Sequence, residues 1–201
     1  MAREAEQHMH DFDAQALANT AWAFATLGQL DALLFAALAR AAEWRMHDFD
    51  AQNLGNTAWA FATLGQLDAL LIAALARDAE RRMHEFNAQE LANTAWAFAK
   101  LGQLDVLLFS ALAREAEQRM HEFNALNLAN TAWAFGKLGQ LDALLFAALA
   151  RAAERCMHEF NTQNLANTAW AFGTLGHLDA LLFVALARAE ERHTRNFNAH
   201  E

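Results

Sequence analysis

The tryptophans of this chain keep a fixed step: Trp22, Trp59, Trp96, Trp133 and Trp170 are each 37 residues apart, and Phe12, Phe49, Phe86, Phe123, Phe160 and Phe197 share the interval. Self-similarity at such a period marks an array of supersecondary units. A unit of this size cannot close a core alone and must bury its apolar faces on its neighbours. Five complete units run 12–48, 49–85, 86–122, 123–159 and 160–196, while 1–11 match the tail of a unit and 197–201 the start of another. The expected fold is all-α: a single repeat domain over 1–201, built as an α-solenoid, or superhelix, of five helix-turn-helix repeats.

Each unit carries two helix-start signals. In the first unit Asp13 is the expected N-cap, Phe12 and Leu17 form a hydrophobic staple, and Gly28 stops the helix after Leu27. The equivalent caps are Asp50, Asn87, Asn124 and Asn161. Asp31 caps the second helix, Leu30 and Phe35 staple it, and the pattern continues to roughly His47, which gives helices of about 14 and about 16 residues. The linker Gly28-Gln29-Leu30 is so short that the two helices must lie antiparallel. At the helical period, Ala14, Leu17, Ala21 and Phe24 form the core side of the first helix, and Gln15, Asn19, Ala23 and Thr26 fall opposite. On the second helix Leu34, Phe35, Leu38 and Ala41 face the core, with Ala36, Arg40, Glu43 and His47 on a solvated outer wall. Trp22 lies at the edge of the apolar arc, within reach of a neighbouring repeat. The end repeats keep the same Trp and Phe residues as the inner ones, so uncapped apolar faces and head-to-tail self-association are expected.

Composition narrows the function more by exclusion. With 55% hydrophobic residues and no proline the chain is foldable and helix-friendly, and charged residues interrupt every apolar stretch well short of the about 18 positions a membrane span needs. The expected chain is soluble and makes no membrane contact. Its beginning, Ala2-Arg3-Glu4-Ala5-Glu6, has neither the basic start of a signal peptide nor the bias of a transit peptide, so the residues themselves address it to no compartment.

Covalent catalysis lacks its raw materials, and no catalytic residue is expected: tyrosine is absent, Ser110 stands where other units have Ala36, Ala73, Ala147 and Val184, and Cys156 stands where others have Arg45, Arg82, Arg119 and His193. No cofactor is implied. Histidines His47, His84, His121 and His158 come once per unit, too far apart for metal-ligand spacing, and suit the helix C-terminus instead; His8 and His10 point to different faces. Arg40 with Glu43, and its counterparts in each unit, is spaced for a solvated i,i+3 ladder. Every linker glycine follows a helix instead of opening one, which excludes a phosphate-binding loop.

One candidate recognition surface remains, the polar stripe of the first helices. It comprises Gln15, Asn19 and Thr26; Gln52, Asn53, Asn56 and Thr63; Gln89, Glu90, Asn93 and Lys100; Asn127, Asn130 and Lys137; and Gln163, Asn164, Asn167 and Thr174. Fixed asparagines beside variable positions suit a modular reader of single-stranded RNA or another partner. The same asparagines suit a hydrogen-bond ladder that ties repeats together, and both readings stand at this level. Net charge of -9 argues against a purely phosphate-driven affinity and leaves a protein scaffold as the competing class.

The phrase Leu17-Ala18-Asn19-Thr20-Ala21-Trp22-Ala23-Phe24-Ala25-Thr26-Leu27-Gly28, recurring as LGNTAWAFATLG, LANTAWAFAKLG and LANTAWAFGKLG, resembles the heptatricopeptide and octotricopeptide repeats. The likeness covers essentially the whole chain. It implies a helical-hairpin array of an organellar RNA-binding kind often joined to a RAP domain, with polar residues of the first helix facing RNA bases.

Overall fold

The computed structural model describes residues 9–198, so His8 lies outside the described residues, as does the side chain of His10. Ten α-helices are present and, among the described residues, no strand. They are α1 (Ala14–Thr26), α2 (Ala32–Trp44), α3 (Ala51–Thr63), α4 (Ala69–Arg81), α5 (Ala88–Lys100), α6 (Val106–Gln118), α7 (Ala125–Lys137), α8 (Ala143–Cys156), α9 (Thr162–Thr174) and α10 (Ala180–Asn198). Odd-numbered helices are the first of each hairpin and even-numbered ones the second. Successive hairpins stack on one another as in a helical solenoid, within two compact units that span Met1–Leu112 and Ala113–Glu201.

The caps form where the side-chain chemistry places them. Asp13 Oδ1 accepts from the Ala16 N–H at 2.7 Å, and Asp31 Oδ1 accepts from both Leu33 and Leu34 at 3.1 Å, supplying acceptors for N–H groups that the helix cannot pair internally. At the other end of α1 the Gln29 N–H reaches the Phe24 carbonyl and the Gly28 N–H reaches that of Ala25, a Schellman closure. That closure requires the left-handed backbone of Gly28, whose φ is 63°.

The second helices are shorter than the sequence pattern suggests. α2 stops at Trp44, and Met46–Asp48 form a 3-10 turn that delivers Phe49 in extended conformation. Met46, Met83, Met120 and Met157 are buried in these turns, so an apolar anchor pulls the chain inward where a continued α-helix would carry it outward. In the last repeat Thr194 occupies the methionine position, and α10 runs on for 19 residues.

The turn also relocates the charge pairs. Among the described residues the i,i+3 ion pairs join Arg45 to Asp48, Arg82 to Glu85 and Arg119 to Glu122, in place of the Arg40–Glu43 ladder. The Arg82 guanidinium donates to both Glu85 oxygens and to the carbonyl of Phe49, bracing one 3-10 turn against the next second helix. Cys156 occupies this place in the fourth repeat. Its thiol donates to the Ala152 carbonyl, and burial followed by the Glu159 charge raises its pKa, which favours the protonated thiol.

First helices pack against first helices far more intimately than second against second: α1 on α3 and α3 on α5 in one unit, α7 on α9 in the other. Small residues permit it. A methyl placed on Gly55 would stand 3.7 Å from Glu90, and one on Gly136 would stand 2.9 Å from the Ala171 backbone. Each contact reaches 35 residues ahead, one near a helix start and one near a helix end, so adjacent first helices run parallel in constant register. Ala60, Ala97, Ala134 and Ala171 are completely buried, while the equivalent Ala23, in the first repeat, is exposed. The face that carries Ala23 is therefore an inter-repeat joint in the second, third and fifth repeats, not part of the open polar side. The Thr57, Thr94 and Thr168 hydroxyls of those repeats are buried without a hydrogen-bond partner, whereas the Thr20 hydroxyl of the first repeat donates to the Ala16 carbonyl.

Gly136→Ala and Gly173→Ala are expected to act with opposite sign. The first forces α7 and α9 apart and lowers stability by about 1–3 kcal/mol. The second adds a methyl that meets nothing within 4 Å and raises stability by up to about 1 kcal/mol through helix propensity. Thermal melts of the two variants check this, and a shift of the same sign in both contradicts the packing described.

Candidate functional site

Packing leaves one face of each first helix open. In the first unit it carries Gln15, Asn19, Trp22 and Thr26; Gln52, Asn56, Trp59 and Thr63; and Gln89, Asn93, Trp96 and Lys100. In the second it carries Leu126, Asn130, Trp133 and Lys137, then Gln163, Asn167, Trp170 and Thr174. These positions step by four, three and four residues, which on an α-helix is a single stripe.

The tryptophans belong to this face and were missed as functional residues by their apolar character. Trp59, Trp96 and Trp133 are half-buried, while Trp22 and Trp170, each next to a repeat end, are 46% and 44% exposed. Trp170 leans over the preceding helix, one ring atom coming within 3.3 Å of where a methyl on Gly136 would be. Trp59, Trp96 and Trp133 each keep part of the ring in solvent. The Lys100 ammonium sits 5.9 Å from the Trp96 ring centroid, a cation–π geometry. The signal lay in the spacing: Trp22 falls on the same helical arc as Gln15, Asn19 and Thr26.

The asparagines divide into two groups. Asn53, Asn127 and Asn164 are buried and sit at the helix starts, away from the open stripe. Asn127 Oδ1 accepts from the Asn124 N–H at 3.3 Å while its own N–H donates to Asn124 Oδ1 at 2.9 Å; Asn164 and Asn161 form the same reciprocal box. Glu90 fills that role in α5, accepting from the Asn87 N–H at 2.8 Å. The Glu90, Asn127 and Asn164 side chains at this position are therefore engaged as caps by the fold.

Asn56, Asn93, Asn130 and Asn167 are half-buried on the stripe, with Asn19 exposed at the end. Among the described residues the side-chain amides of these five make no hydrogen bond to any protein group. The inter-repeat asparagine ladder expected as one reading is absent, and a column of amides stands with its donors and acceptors unspent. Thr26 is different, since its hydroxyl already donates to the Trp22 carbonyl at 2.9 Å.

Charge is segregated. The five first helices contain one acidic residue, Glu90, and both lysines of the chain, Lys100 and Lys137, for a net +1; the remaining residues therefore carry -10 of the total -9. No group of three or more potential metal ligands gathers among the described residues, and no helix there is long and apolar enough to cross a membrane. His47 and its counterparts His84, His121 and His158 are exposed in the 3-10 turns, with His47 Nε2 3.3 Å from Asp48.

These features define a helical-hairpin repeat protein whose first helices present a periodic aromatic and amide face. The chain matches the family model of the RNA-editing substrate-binding complex 6 protein over residues 1–201, and it belongs to that family. No curated protein matches it significantly.

Proposed function

We propose that the chain is a non-catalytic module that reads single-stranded RNA along the stripe of its first helices. The family is named for an RNA-editing substrate-binding complex protein, which supports an RNA-related role. The observation that carries the reading is the column of unpartnered asparagine amides alternating with half-open tryptophans. An amide offers a donor and an acceptor to a base edge, and an indole offers a stacking surface worth about 1–3 kcal/mol per base. The array's kinship to heptatricopeptide and octotricopeptide repeats, in which a first helix meets RNA, is part of the same reading.

The overall acidity does not oppose it, because the negative charge lies off the stripe. Affinity then comes from stacking and amide contacts instead of phosphates, and this has a measurable consequence. Titration of labelled random-sequence RNA should give a slope of log K against log salt of only about -0.7 to -1.4, for one or two lysine contacts. Asn93→Ala should weaken binding about tenfold, near 1.4 kcal/mol, with an unchanged melting temperature. Asn127→Ala should cost about 1 kcal/mol of stability and leave affinity intact. Absence of RNA binding at low salt, or equal loss of affinity in both variants, refutes the proposal.

A second reading, self-association, rests on the ends. Ala23 and Leu27 of the first repeat are exposed where inner repeats receive a preceding helix, and Ala166 and Gly173 of α9 are exposed where inner repeats receive a following one. The two surfaces are the halves of the joint that unites neighbouring repeats, so a head-to-tail contact between copies would reproduce it. Light scattering across concentration should show growing mass, and a strict monomer at high concentration contradicts it.

A further inference from the structure

The hairpin tips carry leucines that are left largely in solvent. In the first unit the tips are the segments LGQLDALL at 27–34 and 64–71 and LGQLDVLL at 101–108. Leu30, Leu67 and Leu104 occupy the linkers, and Leu33, Leu70 and Leu107, in the opening turn of each second helix, are 60%, 71% and 65% exposed. Because α1, α3 and α5 pack successively in parallel register, their tips come to one edge of the unit. Together the six side chains leave several hundred Å² of aliphatic surface in water, the scale at which an apolar patch marks an interaction site.

The tip leucines are the same in all three tips, and each leaves between 44% and 71% of its surface in solvent. Their arrangement selects an occupant. Helices in contact lie about 8–10 Å apart, so leucine pairs recur along the edge at about that distance. An α-helix laid across them advances about 10.5 Å in seven residues and would present one apolar anchor to each pair at i, i+7 and i+14. The formal charge within the tips is negative throughout, from Asp31, Asp68 and Asp105. A second copy laid edge to edge would set aspartate against aspartate, whereas basic flanks on the visiting helix would meet them favourably.

We propose that the hairpin-tip edge of residues 1–112 docks an amphipathic helix of another protein, with apolar residues at heptad spacing and Lys or Arg beside them. The site is separate from the first-helix stripe, so RNA and a protein partner could be held at once. The test uses the full chain and a labelled three-heptad peptide with leucine at the core positions and lysine at the flanks, followed by fluorescence anisotropy. The expected result is saturable binding, weakened at least about tenfold in the combined Leu33→Gln, Leu70→Gln, Leu107→Gln variant, whose melting curve and RNA titration stay unchanged. A peptide with glutamate flanks should bind at least about tenfold more weakly than the lysine peptide. Failure of the lysine peptide to bind, equal binding by the variant, or indifference to the flanking charge overturns the proposal. So does self-association that the triple substitution abolishes, since that would assign the edge to a second copy.

Discussion

Close parallel packing of one first helix on the next is the constraint from which the rest of the structure follows. Alanine and glycine at the joint let backbones approach to van der Waals distance, and Gly136 against Ala171 shows how little room is left. A helix engaged this way has few free sides. Ala58, Ala60 and Ala62 are buried on the arcs that meet the neighbouring repeats, and Leu54 and Phe61 are buried too, with the Phe61 ring 5.0 Å from that of Phe35 in α2. What remains is the narrow stripe of Gln52, Asn56, Trp59 and Thr63, which is why the polar side chains stand in line from one repeat to the next. The open stripe is thus a by-product of the joint.

The same division explains how an acidic chain can present a neutral to basic surface. Carboxylates occupy N-caps, 3-10 turns and the outer sides of second helices, whereas the first helices are nearly uncharged. The Lys100 ammonium over the Trp96 ring places a cation beside a stacking surface, a combination suited to a nucleobase next to its phosphate. On the opposing account, a protein scaffold, the tips and ends of the hairpins are the active surfaces, and the two accounts use different residues.

Much of this was legible in the sequence. The fixed step of the tryptophans gave the period, Asp13 and Asp31 the helix starts, and Gly28 the turn, because caps and left-handed glycines act locally. Local rules served less well where burial decides. The second helix in each of the first four hairpins ends early because a methionine such as Met46 is pulled inward, and nothing in the helical period announces that. Asn127 and Asn130 are three residues apart and chemically identical, yet one is a buried cap and the other an open amide; the difference lies in which neighbour covers each arc. The sequence places Trp22 at the edge of the apolar arc, but that the equivalent Trp96 keeps a solvent-facing side depends on Ala97 being the residue buried at the joint.

The claim that first-helix contact holds the array together can be tested at Ala97, which is completely buried at the joint. Hydrogen exchange on an Ala97→Leu variant would compare amide protection helix by helix. The account predicts that protection falls in α3 and α5 together, with melting lowered by at least about 2 kcal/mol from overpacking. Unchanged protection in α3, or a leucine accommodated without loss of stability, would contradict it.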